Sequence, residues 1–342
     1  MRKNILFICG SLNQTVMMHK IAENLDEHNC VFTPFYADGM LGILSKMGVL
    51  DFTILGGRHR RNTEQYLHQH GLPVQLGGGS IDFDLVVTCT DLIIQRNLRG
   101  KKLVLVQEGI LMQEGRVYRL VRRLGLPRFL ADTATTGLSH AYDVFCVAST
   151  GYRDLFIKKG ISNDKIAVTG IPNFDHAASY LDNDFPHRNF VLVATTCTRE
   201  TFKLDNRARF IQEAKRIANG RKIIFKLHPN ENFARARREI ERIAPDALVY
   251  EDGNVHHMIA NCDVLITQYS SVVFTGLALN KSVHSLFDLD MLRSLLPLQN
   301  GGDSARNIAE VCERVLYSSL PEIATRHDRY RLRSDLSTSE PA

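Results

Sequence analysis

Two short segments of this sequence carry side chains that could hold an anion. In Phe225-Lys226-Leu227-His228-Pro229-Asn230, a run of β-forming residues stops at a proline. Lys226 and His228 are two apart, so a strand presents both on one face, where ammonium and imidazole can donate to phosphate oxygens. Pro229 ends that strand and suits the start of a helix. An ordinary strand end with a surface lysine and a turn histidine has the same spacing. The second segment is Leu265-Ile266-Thr267-Gln268-Tyr269-Ser270-Ser271-Val272-Val273-Phe274, an apolar strand followed by two serines and an apolar helix. Ser270 suits the N-cap, and the N–H groups behind it would point outward with the positive end of the helix dipole. Such a helix end is worth about 0.3–1 kcal/mol to an exposed anion, and a hydrogen bond to a charged group about 1.5–3 kcal/mol. Lys226, His228, Ser270 and Ser271 together could hold a diphosphate without a metal. A capped structural helix would read the same way.

The elements that must position these residues follow a simple rhythm. Short apolar runs alternate with amphipathic stretches, the pattern of a parallel sheet covered on both faces. Strands are expected at 5–9, 31–36, 52–55, 85–89, 103–107, 144–148 and 166–169, with helices at 15–25 and 151–159. Residues 171–186, rich in Pro, Asn and Asp, read as a linker. The alternation then restarts with strands at 190–194, 222–227, 247–250, 263–267 and 282–286 and helices at 205–218, 233–243, 271–279 and 304–316. The expected domains are 1–175 and 176–317, followed by a basic tail at 318–342. Ligands of open parallel sheets bind beyond the carboxyl ends of the strands, so the strand-to-helix turns are where chemistry belongs.

Composition narrows the class. The 342 residues are 44% hydrophobic and 23% charged, as in a globular protein large enough for two cores. A net charge of +5 suits an anionic substrate, while the lack of tryptophan and of any nucleic-acid motif argues against nucleic acid as a partner. The seven cysteines are scattered without a C-x-x-C pair, so neither a disulfide framework nor a zinc knuckle is expected. No run reaches transmembrane length, and the opening Ile5-Leu6-Phe7-Ile8 is too short for a signal-peptide core, which reads as a cytoplasmic chain.

Taken in order, the two anion segments resemble the C-terminal nucleotide site of the GT-B superfamily. The nearest likeness is to the branch with a His-Pro motif and a later Ser-Ser helix start. That branch includes CDP-glycerol glycerophosphotransferases and bacterial transferases that use CMP-linked sugars. The matching text is Lys226-Leu227-His228-Pro229, then Tyr250-Glu251-Asp252 before a short helix, then Asp263 through Phe274, and Gly276-Leu277-Ala278-Leu279-Asn280-Lys281. The likeness lies mainly in residues 190–290. It implies an α/β fold of two Rossmann-like domains facing a cleft. It also implies that His228, Ser270 and Ser271 contact donor phosphate while the backbone from Tyr250 to Asn254 holds the base. Lys226, Pro229, Tyr250, Glu251, Gln268 and Thr275 complete the expected donor side. Gly10, Ser11, Asn13, Thr195 and Thr196 are expected to shape the cleft. Non-hydrolysing UDP-N-acetylglucosamine 2-epimerases share the scaffold but carry glycines and paired glutamates where this chain has Ser271-Val272-Val273-Phe274-Thr275-Gly276. Thr275 or Gly276 thus stands where a carboxylate would bind ribose.

An inverting transfer needs a base for the acceptor hydroxyl. Leu103-Val104-Leu105-Val106-Gln107-Glu108-Gly109 is a buried-type strand ending in a carboxylate, where glycerophosphotransferase relatives often have His-Gly. Glu108 is therefore the first candidate and Asp91 the second; an exposed turn glutamate would read alike. The first turn, Cys9-Gly10-Ser11-Leu12-Asn13-Gln14, lacks a dinucleotide G-x-G-x-x-G. Three Asp-x-Asp triplets occur, at Asp82/Asp84, Asp182/Asp184 and Asp288/Asp290, but helix end and cations already supply charge neutralisation, so no metal and no cofactor is expected. Residues 115–130 mix Arg116, Arg119, Arg122, Arg123 and Arg128 with Val117, Leu120, Val121 and Leu124; they could rest on an anionic membrane or form a solvated helix face. The expected function is metal-independent, inverting transfer of a sugar or polyol phosphate from a CMP-, CDP- or UDP-type donor to an envelope glycan or glycolipid. The alternatives are a UDP-sugar epimerase or hydrolase on the same fold, and a nucleotide- or glycan-binding protein without catalysis.

Overall fold

The structure, a computed structural model, describes residues 2–318 except 80, 110–117, 119–120, 122, 125–127, 129–133, 198 and 200–204. Eleven strands within it form two all-parallel sheets. The first contains β1 (Asn4–Cys9), β2 (Asn29–Pro34), β3 (Leu85–Thr88), β4 (Lys102–Val106), β5 (Val144–Val147) and β6 (Ile166–Val168), in the order β2-β1-β3-β4-β5-β6. The second contains β7 (Val191–Ala194), β8 (Ile223–Lys226), β9 (Leu248–Tyr250), β10 (Val264–Thr267) and β11 (Ser282–His284), in the order β11-β10-β7-β8-β9. The chain divides into two compact units: Met1–Asp175 with Gly302–Ala342, and His176–Gly301.

Both faces of each sheet are covered, which is why the strands are continuously apolar rather than alternating. In β7, Val191 and Val193 pack with Ile211, Ala214 and Ala218 of α5 (Arg207–Ala218) and with Ala236 and Ile240 of α6 (Phe233–Ile243). The intervening Leu192 and Ala194 point the other way, onto Met258 and Ile259 of α7 (Val255–Asn261). The first unit has the same logic, with α1 (Leu12–Ala22), α2 (Gly39–Lys46), α3 (Gly57–Gln69) and α4 (Thr150–Lys158) between its strands. The second unit adds α8 (Val272–Ala278) and α9 (Leu289–Ser294).

Two expectations change. Residues 52–55 are not a strand: the Thr53 N–H donates to Leu50, the Gly56 N–H to Thr53, and the Ser45 hydroxyl to the Leu55 carbonyl, so turns satisfy the backbone and Phe52 is left exposed. The last helix, α10 (Ser304–Tyr317), expected in the second domain, packs on β3, β4, β5 and α1 of the first unit. Its anchors are specific. Asp175 accepts from the Ser304 N–H at 3.1 Å and from its hydroxyl, His28 Nε2 lies 2.7 Å from Glu313, and Lys102 donates to the carbonyls of Leu316 and Ser318. The expected basic tail lies, apart from Ser318, outside the described residues.

Candidate functional site

In both sheets the strand order reverses next to the first strand of the unit. That reversal falls between β1 and β3 in one sheet and between β7 and β10 in the other. There the turns diverge and leave room for a ligand beyond the carboxyl ends.

In the second unit this point is built from the turns after β7, β8 and β10. Thr195 and Thr196 follow β7, and both are buried. The Thr196 hydroxyl donates to Gln268 Oε1 at 3.0 Å, and Gln268 Nε2 donates to Asp205 Oδ1 at 2.9 Å. Asp205 also receives Arg207 Nε at 3.2 Å. Arg207 Nη2 reaches Glu231 Oε1 at 2.6 Å, and the other Glu231 oxygen accepts from the Thr195 hydroxyl and, at 2.9 Å, from the His228 N–H. Arg207 and Glu231 are nearly sealed, with 3% and 1% of their side chains exposed. Three turns are thus cross-braced by one buried charged network. Thr195 and Thr196, expected as cleft contacts, and Gln268, expected on the donor side, are braces within it. Glu231, Arg207 and Asp205 were absent from the sequence expectations. The signal that could have found Glu231 is its place three residues after His228. A cavity of about 560 Å³ between the start of α5 and the end of α6 is lined by Arg199, Asp205, Asn206, Arg207, Ala208, Glu239, Arg242 and Ile243, none of them expected donor contacts.

The network aims His228. Its backbone N–H is held by Thr195 and Glu231, and its Nδ1 accepts from the Asn230 N–H at 3.1 Å. That leaves Nε2 with the ring proton, a donor at the carboxyl end of β8. Pro229 beside it is exposed. Ser270 is half-buried and Ser271 exposed, after β10. Ser271, rather than Ser270, takes the cap position of α8, with helical φ −66° and ψ −17°, and its side chain makes no cap hydrogen bond. The first turn begins a residue early: Val273 N–H donates to Ser270 and Phe274 N–H to Ser271.

Other expected donor contacts have different roles. Lys226 is 6% exposed, and its ammonium donates to the carbonyls of Leu227 (2.9 Å) and Glu251 (2.8 Å), tying β8 to β9. Burial holds its pKa below the usual lysine value, against the pull of Asp252 and Glu231. It is a structural clamp and not a phosphate ligand. The Tyr250 side chain turns into the apolar cluster with Phe185 and bonds His187 through its hydroxyl at 2.9 Å. Glu251 receives Arg237 at 3.0 Å. Thr275, 3% exposed, bonds His256 Nδ1 at 3.0 Å inside the α7–α8 contact and is not available to a ribose. At Gly276 a Cβ would come within 2.7 Å of Leu265 Cδ2, so the close seat of α8 on β10 leaves no space for a side chain there. The Asp288 carboxylate caps α9 by accepting the Asp290 and Met291 N–H groups.

In the first unit, Glu108 sits where β4 ends. One carboxylate oxygen accepts the Ser11 hydroxyl at 2.9 Å, the other Gln14 Nε2 at 2.5 Å. Ser11 caps α1 through a capping box with Gln14, so the carboxylate stands at the helix N-terminus. A Cβ at Gly10 would fall 1.8 Å from Gln14 Oε1 and displace that side chain, which folds back to the Ser11 N–H. Asn13 is exposed, and its carbonyl accepts from Asn173. Asp91, the second base candidate, is corrected. With no exposed side-chain surface, it accepts from the Gly137 and Ser139 N–H groups, each at 2.9 Å, and from Arg128 at 3.0 Å. It is the post of a loop and has no open position for a substrate proton. Of the basic 115–130 segment, Arg116, Arg119 and Arg122 with Val117 and Leu120 lie outside the described residues.

Comparison with known proteins now adds a match over part of the chain. Residues 123–288, just under half of the chain, match the family described as CDP-Glycerol:Poly(glycerophosphate) glycerophosphotransferase. That match supports a transferase enzyme. Among solved structures, a UDP-N-acetylglucosamine 2-epimerase aligns over 93% of this chain and 98% of its own, with TM-score 0.57 and 14% identity. The UDP-GlcNAc 2-epimerase from Neisseria meningitidis bound to UDP-GlcNAc aligns over 91% and 100%, with TM-score 0.56 and 11% identity. The wall teichoic acid polymerase TagF aligns over 92% and 89%, with TM-score 0.47 and 14% identity. At these identities the epimerase likeness shows a shared fold alone, of the GT-B class with two Rossmann-like units. No curated protein matches the sequence. No helix among the described residues is long and apolar enough to cross a membrane.

Proposed function

We propose that this enzyme transfers a polyol phosphate, most simply glycerol phosphate, from a cytidine-linked diphosphate donor to a hydroxyl of an envelope glycan or glycolipid. The family matched by residues 123–288 supports the donor class. The observation that carries the site is His228 after β8, its N–H held by Glu231 and its Nδ1 by the Asn230 N–H, in the same sheet as the Ser270-Ser271 turn after β10. These groups bind the donor diphosphate. In the reaction the acceptor oxygen attacks the glycerol-bearing phosphorus, a new P–O bond forms, and the bond to the nucleotide breaks so that CMP leaves. The acceptor proton goes to Glu108, whose two oxygens each accept one hydrogen bond and retain lone pairs for it. No step requires a metal.

The test is calorimetric binding of CMP, CDP, CDP-glycerol, UDP and UDP-N-acetylglucosamine to the wild type and to His228→Ala. Selective binding of the cytidine ligands, weakened about tenfold or more in the variant, is expected. Equal binding in both proteins would remove His228 from the site. Turnover of a UDP-sugar without acceptor would instead favour the epimerase or hydrolase chemistry. Tight nucleotide binding without turnover, across donors and acceptors, would favour a binding protein.

A further inference from the structure

The segment 39–57 is ordered yet turns its apolar side chains to water. α2 buries none of its residues. Met40, Ile43 and Met47 lie at i, i+3 and i+7, one helical face, and are 74, 60 and 69% exposed; Val49 and Phe52 in the following turn are 52 and 73% exposed. Local hydrogen bonds order the backbone beneath them. Met47 N–H donates to Ile43, Val49 N–H to Leu44, and the Ser45 hydroxyl to Leu55. Leu55 is buried, and Ile54 Cδ1 lies 3.1 Å from where a Gly10 Cβ would stand, which fastens the segment beside the Ser11–Glu108 turn. Clustered exposed apolar side chains on an ordered support mark a docking surface rather than a packing fault.

Charge selects the partner. Lys46, Arg58 and Arg61 are exposed, and Arg96 Nη2 lies 3.9 Å from the position of a Gly39 Cβ at the head of the helix. The acidic residues from 38 to 64 are engaged: Asp38 accepts the Arg96 N–H, Asp51 the Gly57 N–H, and Glu64 pairs with Arg60. A second copy of the chain would set these cations against their own kind. A surface of anionic phospholipid satisfies both the apolar face and the basic rim.

We propose that this patch docks the protein on an anionic bilayer. Met40, Ile43, Met47, Val49 and Phe52 enter the headgroup and upper acyl region, with Lys46, Arg58, Arg61 and Arg96 on lipid phosphates. The inference stands apart from the transfer reading and from the basic 115–130 segment.

The experiment is co-sedimentation of the full chain with phosphatidylcholine vesicles, with and without phosphatidylglycerol. The wild type is expected to partition onto the anionic vesicles and to be released by salt. Met47→Glu/Phe52→Glu is expected to partition about tenfold more weakly, with an unchanged melting temperature because both side chains already face water. Should that variant fail to melt cooperatively, Lys46→Ser/Arg61→Ser replaces it and is expected to lose the preference for anionic vesicles. Equal partitioning of wild type and variant overturns the proposal, and so does a wild type that stays with neither vesicle. A vesicle-free wild-type dimer that the variant turns into monomer would give the surface to a second copy and overturn it equally.

Discussion

Two carboxylates at strand ends show how partners decide a residue's work. Glu108 accepts two hydrogen bonds from side chains of the first turn and keeps acceptor positions open. Asp91 is sealed and receives three donors, two of them backbone. Glu108→Gln should therefore fold normally, bind nucleotide as the wild type does, and lose about 100-fold or more in transfer rate, which a steady-state assay would read. Asp91→Ala should instead lose stability, about 3–5 kcal/mol, because it leaves Arg128 and two N–H groups without their acceptor; urea denaturation would measure it. Both residues follow an apolar strand and look alike in sequence. Only the loop at 137–139, more than forty residues on, separates them.

At the scale of elements, the turns of the second sheet are braced by the chain Thr196, Gln268, Asp205, Arg207 and Glu231. Removing one member strands a buried charge. Arg207→Met should destabilise the second unit by about 3–5 kcal/mol and weaken nucleotide binding as well, since His228 loses its support; calorimetry and binding would show both losses together. His228→Ala should weaken binding alone. The α7–α8 pair carries a pH signature. His256, packed under Tyr180 with Thr275 on its Nδ1, has its pKa pushed down to about 4 from 6.5 by burial first and by His257 second. The unfolded chain then binds the proton more readily than the native one, so this stability is complete above pH 6.5 and falls away toward pH 4. The loss is on the order of 3 kcal/mol at most, and His256→Gln should flatten that part of the stability profile.

For the molecule as a whole, the chain returns to its first unit after Gly301. A chain ended there should lose the cooperative melting of the first unit, because Asp175 and Lys102 lose their partners and the faces of β3, β4 and β5 are uncovered; a two-transition calorimetric profile reduced to one would show it. The sequence by itself determined the alternation of strands and helices, the two parallel sheets and the order of the two candidate turns. Those properties are local or periodic: a strand buried on both faces must be apolar throughout, and His228-Pro229 and Ser270-Ser271 mark strand ends within a few residues. Phe52–Leu55 escaped that reading because four apolar-leaning residues fit a strand or a turn equally, and hydrogen bonds to Leu50 and Ser45 chose the turn. Only the tertiary structure decided that α10 covers the first sheet, that Lys226 clamps Glu251, that Thr275 serves His256 and that Asp91 holds a loop. In each case the deciding partner lies 19 or more residues away, as with His256 and Thr275, and no spacing rule reaches that far. A side chain's chemistry is written at its own position, but whether it meets substrate or backbone is settled by what the fold brings beside it.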